Sequence, residues 1–223
     1  SKIRVSSGAS MGQHEEQVAT VVRRLKQAIT IPVIAKLTPE GGRIAQVAKA
    51  AMDAGADGVS GVANRLGIPP IDVRRYKKAI YNLQGENTMG CMSGPWIRPL
   101  AMRDVFEMRK LLGPGPHING TGGIASMSDA VQMMMCGADT IGVCTETMLR
   151  GFGVLEEWMT DLQQYMLDVG VTAAREMPDL LLPEIKSAAE LTLWGGYAKV
   201  DPAKCSSCGE CIDIGHCDAI TMQ

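Results

Sequence analysis

Twice in this chain a helix-like run ends at a glycine just before a short β-branched run. Asp53-Ala-Gly-Ala-Asp57 leads into Gly58-Val-Ser-Gly-Val62, and Cys136-Gly-Ala-Asp139 leads into Thr140-Ile-Gly-Val-Cys144. Glycine ends a helix at low cost because it accepts the left-handed backbone that a helix terminus often needs. Ahead of these links, Val18, Val21, Val22, Leu25 and Ile29 fall at helical spacing and predict a helix over Glu15–Ala28, followed by a strand over Pro32–Leu37. Further helices are predicted over 43–54, 102–112 and 127–136, with strands at 58–62, 117–119 and 140–144. Helix and strand alternating through short links are the mark of parallel βαβ packing, hence an α/β fold. The repeated link favours a repeating barrel over an open sheet. A complete (β/α)8 barrel takes about 250 residues, whereas about five strands are legible before the C-terminal segment. The expectation is therefore the C-terminal part of a (β/α)8 TIM barrel. Its remaining strands would lie upstream or downstream of these residues, or come from another chain.

The last nineteen residues hold four of the seven cysteines, Cys205, Cys208, Cys211 and Cys217, spaced C-x2-C-x2-C-x5-C. Thiolates two residues apart can wrap one face of a 4Fe-4S cluster, helped by the turn at Gly209. Zinc is the alternative, but zinc sites use paired knuckles or distant histidines, and a third cysteine in the same register adds nothing to them. The two-cluster ferredoxin pattern closes with x3-C-P; here the gap is five and Asp218 follows, so Cys217 serves this cluster, a second one or neither. A run of about 26 residues cannot bury a core by itself. Residues 198–223 thus read as part of a ferredoxin-like module.

Composition bounds the partners. With 223 residues, 46% hydrophobic, net charge −2 and 25 glycines, the chain is an ordered α/β type. It lacks a basic stripe with interleaved aromatics, which argues against nucleic acid. No apolar run reaches spanning length and nothing at the start resembles a signal peptide, so no membrane partner is expected. Cys91, Cys136 and Cys144 are scattered as free thiols, which suits a reducing, cytoplasmic setting.

In parallel barrels chemistry sits where strands end. Lys36, Asn64, the Ser93-Gly94 pair, Gly120-Thr-Gly-Gly123 and Cys144-Thr145 all fall at such ends and are expected on one rim. Two adjacent glycines opening a helix, followed one strand later by a polar helix start, make a phosphate cradle of backbone N–H groups. Alternatively Gly122 and Gly123 only permit a tight turn. Lys36 is either a solvated strand-end lysine or a buried one, which must then meet an electron-rich ring or a phosphate.

Four blocks now carry a resemblance: PVIAKLTPEGGRIAQVAKAAMDAGADGVSG, MSGPWIRPLAMRDV, NGTGGIASMSDAVQMMMCGADTIGVCTETM and the terminal cysteine run. Together they resemble the dihydropyrimidine dehydrogenase and dihydroorotate dehydrogenase family, in the type that joins an FMN barrel to a C-terminal ferredoxin-like segment. The resemblance implies that Lys36 contacts the flavin ring near N1 and that Gly94 lies against it. It also implies that Thr121, Gly122 and Gly123 cradle the phosphate, completed by Cys144 and Thr145, with Asn64 on the same cofactor rim. It aligns Ser7 of Ile3-Arg-Val-Ser-Ser-Gly8 with the general acid or base; a chance serine pair is the other reading. Ala63 and Asn64 stand where the family has an asparagine–threonine pair. Losing that amide leaves a pyrimidine edge unpaired at about 1–3 kcal/mol per buried group, which argues against a pyrimidine substrate.

The expected organisation is an FMN-binding barrel portion at 1–176, a linker with a short helix at 177–197 whose Leu180, Leu181, Leu182, Ile185 and Leu191 dock on the barrel or meet a partner, and the iron–sulfur segment at 198–223. The leading expectation is an FMN- and 4Fe-4S-dependent oxidoreductase acting on CH–CH groups of a small-molecule substrate. It would work within an oligomer or complex, with a redox partner subunit of NAD(P)H/FAD or ferredoxin type. The alternatives are a non-catalytic electron-transfer subunit, and a barrel binding a sugar or nucleotide phosphate with a zinc knuckle.

Overall fold

The computed structural model describes residues 8–61, 64–75, 85–192 and 200–213 of the chain. It divides into two compact units, Ser1–Ile185 and Lys186–Gln223.

In the first unit, the short helix α1 (Gly8–Met11) precedes α2 (Glu15–Ala28), which buries Ala19 and Val22. Strand β1 (Ile34–Lys36), helix α3 (Ile44–Asp53) and strand β2 (Gly58–Ser60) follow. An antiparallel excursion, β3 (Arg65–Gly67) with β4 (Gly90–Met92), leads to helix α4 (Arg98–Leu112). Then come β5 (His117–Thr121), α5 (Met127–Met135), β6 (Thr140–Gly142), α6 (Thr145–Arg150) and α7 (Val154–Val169).

The parallel sheet runs β1-β2-β5-β6, so each new strand is added on the same side. An open doubly wound sheet reverses its strand order at a switch point; this order shows no reversal. Among the described residues the parallel sheet has four strands, one fewer than the sequence suggests. The stretch between β2 and α4, which carries no strand signal by alternation, supplies the antiparallel pair instead.

The two repeated links explain why the sheet grows in this way. Gly55 (φ +98°) and Gly137 (φ +111°) each end a helix in the left-handed region. Two residues later, Asp57 and Asp139 do the same work at successive strand pairs. The Asp57 N–H donates to the Val33 carbonyl (2.9 Å) while its Oδ2 accepts from the Val33 N–H (2.6 Å). Likewise the Asp139 N–H donates to Ile118 (2.8 Å) and its Oδ2 accepts from the Ile118 N–H (2.7 Å). Each carboxylate is also paired with a cation of the helix before the neighbouring strand, Lys26 (2.8 Å) and Arg109 (2.6 Å) respectively. The aspartate thus registers each incoming strand against the preceding one.

Val59 and Ile118, both fully buried, point into the helix layer, where they join Val47, Ala48, Val105, Met108 and Met133. The opposite face carries Lys36, Ser60, Asn119 and Thr140, half-buried or exposed. That alternation is the period of two expected of a sheet with dissimilar faces. A second, smaller cluster sets Val131 and Met134 of α5 against Val171 and Met177, with Leu162, Tyr165 and Met166 of α7 packed on it.

Three sequence expectations change. Strand β5 runs on to Thr121, so Gly120 and Thr121 lie inside it: β6 remains paired that far, with Gly142 opposite Thr121, while β2 pairs as far as Asn119. The linker forms short 3-10 turns at Ala174–Leu180, Leu182–Glu184 and Ala188–Glu190, two of them containing a proline that lacks the N–H an α-helix needs. Fully buried Met177 is the residue of this stretch that packs most completely, whereas Leu180 and Leu191 are exposed. The second unit has one short helix, α8 (Glu210–Asp213), and none of its residues 186–187, 189–192 and 200–211 is buried.

Candidate functional site

At the C-terminal ends of the parallel strands lies a cleft of about 260 Å3. It is lined by Lys36 from the end of β1, Asn64 after β2, Ser93 and Gly94 after β4, Thr121 to Gly123 at the end of β5, and Cys144 and Thr145 after β6. All eight residues expected to hold a flavin therefore line one cleft, although they come from five separate segments. Ile124, Ala125, Gly142, Glu146 and Met148 complete the walls.

Each wall is positioned by a local cause. The β3–β4 excursion brings Asn64 and Ser93-Gly94 in together because its two strands pair Arg65 with Met92. It is held to α4 by Arg65, whose guanidinium meets the buried Asp104 carboxylate at 2.5 Å; Arg103 holds the other oxygen at 3.0 Å. The Leu66 N–H donates to Glu40 Oε1 (3.1 Å), which ties the excursion to the loop after β1. Gly94 is left-handed (φ +102°), as are Gly122 (φ +134°) and Gly123 (φ +73°). A Cβ on Gly123 would stand 2.7 Å from the backbone nitrogen of Arg98, so no larger residue fits there without moving the start of α4.

Gly122 and Gly123 do not open the following helix. Ile124, Ala125 and the N-cap Ser126 intervene, and the Ser126 hydroxyl accepts from the Asp129 N–H (3.2 Å). Asp129 in turn accepts from the Ala125 N–H (3.0 Å) and is paired with Arg98. The start of α5 is thus satisfied by its own side chains, and an anion in the cleft would meet the glycine turn itself. At α6 the N-cap position is Cys144, with no side-chain cap bond, and Glu146 is turned to Arg150 (3.4 Å).

Lys36 is exposed, not buried as one of its two readings required. Its ammonium stands in the cleft wall and forms no ion pair among the described residues. Thr145 Oγ1 lies 3.4 Å from Ser93 Oγ across the cleft. Cys144 is exposed and touches Met148 sulfur to sulfur (4.0 Å).

A polar row missed in the sequence runs beneath the cleft. Ser60, Asn119 and Thr140 sit in direct register on three neighbouring strands. The Ser60 and Thr121 hydroxyls both donate to Asn119 Oδ1 (3.0 and 2.8 Å), and Asn119 Nδ2 donates to Thr140 Oγ1 (2.9 Å). The available signal was the alternation of these polar residues with Val59, Ile118 and Ile141 inside strands.

The expected catalytic residue Ser7 lies outside the described residues, as do Ala63 and the fourth cysteine, Cys217. In the second unit Cys205, Cys208 and Cys211 are exposed free thiols. No group of three or more metal-binding side chains is gathered among the described residues. The backbone around these cysteines is tightly turned. Ser207 (φ +56°) and Gly209 (φ +78°) are left-handed, and the Ser207 N–H donates to Cys205 Sγ (3.4 Å). The Glu210 N–H and the Ser206 side chain hold the Cys208 thiol below its ordinary pKa, favouring thiolate.

Comparison with known proteins places the barrel-like unit. The family model described as dihydroorotate dehydrogenase matches residues 3–166. The chain belongs to the dihydroorotate dehydrogenase family. It is 32% identical over 216 residues to the Escherichia coli strain K12 protein named NAD-dependent dihydropyrimidine dehydrogenase subunit PreA, covering 94% of this chain and 52% of that one. It is 35% identical over 175 residues to the catalytic subunit of dihydroorotate dehydrogenase B (NAD(+)) of Thermococcus kodakarensis, covering 78% and 55%. The Pyrococcus abyssi protein of the same name is 34% identical over 175 residues, covering 78% and 56%. The chain thus spans about half the length of these curated relatives. Among the described residues no helix is long and apolar enough to cross a membrane.

Proposed function

We propose that this chain is the phosphate-side part of an FMN barrel in an oxidoreductase of the dihydropyrimidine/dihydroorotate dehydrogenase type, acting on CH–CH groups. The observation that carries this reading is the convergence of Lys36, Asn64, Gly94, Thr121, Gly122, Gly123, Cys144 and Thr145 on one cleft. The residues fit the group. Two consecutive left-handed glycines open a backbone turn to an anion, Lys36 supplies a cation that no described residue pairs, and the volume suits a phosphate with its adjoining chain better than a dinucleotide.

Bound FMN would supply hydride chemistry at its ring and exchange electrons singly with an iron–sulfur centre. Around it, Gly122, Gly123 and Thr145 would bind the phosphate end. Gly94, having no side chain, would let the backbone after β4 approach the ring. Lys36 would favour negative charge on the ring edge beside it, and Ser7 would move the substrate proton. Cys205, Cys208, Cys211 and Cys217 would hold a 4Fe-4S cluster as part of a ferredoxin-like module at 198–223, joined by the 177–197 linker to the FMN portion at 1–176. The Glu210 N–H and the Ser206 side chain, which hold the Cys208 thiol below its ordinary pKa, support that role. Electrons would pass to or from a redox partner subunit of NAD(P)H/FAD or ferredoxin type in a cytoplasmic complex.

Ala63, standing where an amide would read the substrate, favours a second reading: a flavin and iron–sulfur relay subunit with no chemistry of its own. Anaerobic purification tests both readings. The expected result is bound FMN with about four irons per chain; zinc without flavin would sink both. Flavin reduction by dihydroorotate or a dihydropyrimidine supports the enzyme, and a flavin that only a reduced ferredoxin or NADH-linked partner can reduce supports the relay. Replacing the cation, Lys36→Met, is expected to weaken FMN binding about tenfold or more, read by fluorescence titration.

A further inference from the structure

The hydroxyl of Thr121 has a single proton, and the network beneath the cleft uses it. Thr121 Oγ1 donates to Asn119 Oδ1 at 2.8 Å. With Oδ1 placed toward Thr121, Asn119 Nδ2 faces the other way and donates to Thr140 Oγ1 at 2.9 Å. Thr140 Oγ1 lies 3.1 Å from His117 Nε2, a ring nitrogen that can accept its proton. The bonds therefore run in one direction down the sheet face, from Thr121 through Asn119 and Thr140 to His117. Ser60, beside Lys36 in the strand register, adds a second hydroxyl on Asn119 Oδ1 at 3.0 Å. Gly142 makes the arrangement possible, since a side chain there would strike Thr121 Oγ1 and crowd Asn119.

With its proton committed downward, Thr121 can offer only lone pairs to the cleft. A fully ionised phosphate has no proton to give and repels such an acceptor. A sugar-alcohol hydroxyl or a ring N–H donates to it. We propose that Asn119 is a positioning residue that fixes Thr121 as a hydrogen-bond acceptor, so that Thr121 reads the ribityl or ring portion of the flavin and leaves the phosphate to the glycine turn and the start of α6. This rests on the flavin reading and narrows it by removing Thr121 from the phosphate cradle.

The purified chain, freed of cofactor, is titrated with FMN and with riboflavin, which lacks the phosphate, following flavin fluorescence. Thr121→Val is expected to weaken both ligands by the same factor, about 3- to 10-fold for one lost hydrogen bond. Asn119→Leu is expected to do the same, and the double variant to be no weaker than Thr121→Val alone, because Asn119 acts through Thr121. Circular dichroism checks the fold of each variant; if Thr121→Val does not fold, Asn119→Leu carries the same comparison of ligands. Weaker FMN binding with unchanged riboflavin binding would place Thr121 on the phosphate and overturn the proposal. Fully additive losses would overturn the role of Asn119. If the unaltered chain binds neither ligand, the flavin reading fails and takes this proposal with it, an outcome separate from the other two.

Discussion

A single Cβ decides whether the turn after β5 can exist. Gly123 combines a left-handed backbone with the approach of the Arg98 nitrogen, and neither tolerates a side chain. Gly123→Ala is expected to cost about 1–3 kcal/mol of stability, measured by urea denaturation, together with loss of FMN binding in fluorescence titration. Asp57 shows a different single-residue effect. Its carboxyl is held below the ordinary value of 3.8, first by Lys26 and then by the Val33 N–H. A depressed folded pKa gives stability that is present above the unfolded value and is lost as pH falls through the folded one. Between about pH 5 and pH 3, the melting temperature of the protein should therefore fall more steeply than that of Asp57→Asn. Parallel curves would show that the contact does not bear on stability.

At the scale of elements, the helix-ending glycine of the repeated Gly-Ala-Asp link was legible because its chemistry is local. The grip of the aspartate on the neighbouring strand, over 24 and 21 positions, was not. The β3–β4 excursion was not legible, because its strands are three residues long and its anchors are remote: Asp104 lies 39 positions beyond Arg65. Asp104 is buried and pairs two arginines. Asp104→Ala is expected to destabilise the protein by about 3–5 kcal/mol in urea denaturation. It should also weaken FMN binding, because Asn64 and Gly94 enter the cleft from the two ends of the freed excursion. Unchanged flavin affinity in a folded Asp104→Ala protein would mean that the excursion does not shape the site.

Across the whole molecule, the two units differ in what holds them. The first has a continuous core from α2 to α7, whereas residues 186–187, 189–192 and 200–211 of the second are none of them buried. Local opening follows core content. Limited trypsin digestion without metal is expected to cut first after Lys186 or Lys204, leaving a resistant fragment of the first unit, followed by mass spectrometry. Reconstitution with iron and sulfide should protect the Lys204 site, and Cys205→Ser should abolish that protection.

The sequence by itself determined the alternation of helix and strand, the parallel sheet, and the identity of the rim residues, because strand ends carry polar and glycine residues within a few positions of an apolar run. Only the tertiary structure decided which of those residues meet. Lys36 and Thr145 are more than a hundred positions apart, and it is the unreversed strand order that sets them around one cleft. The polar row of Ser60, Asn119 and Thr140 likewise exists only once three strands lie in register. Hydrogen bonds between side chains depend on which strands become neighbours, and periodicity within one strand carries no information about its neighbour.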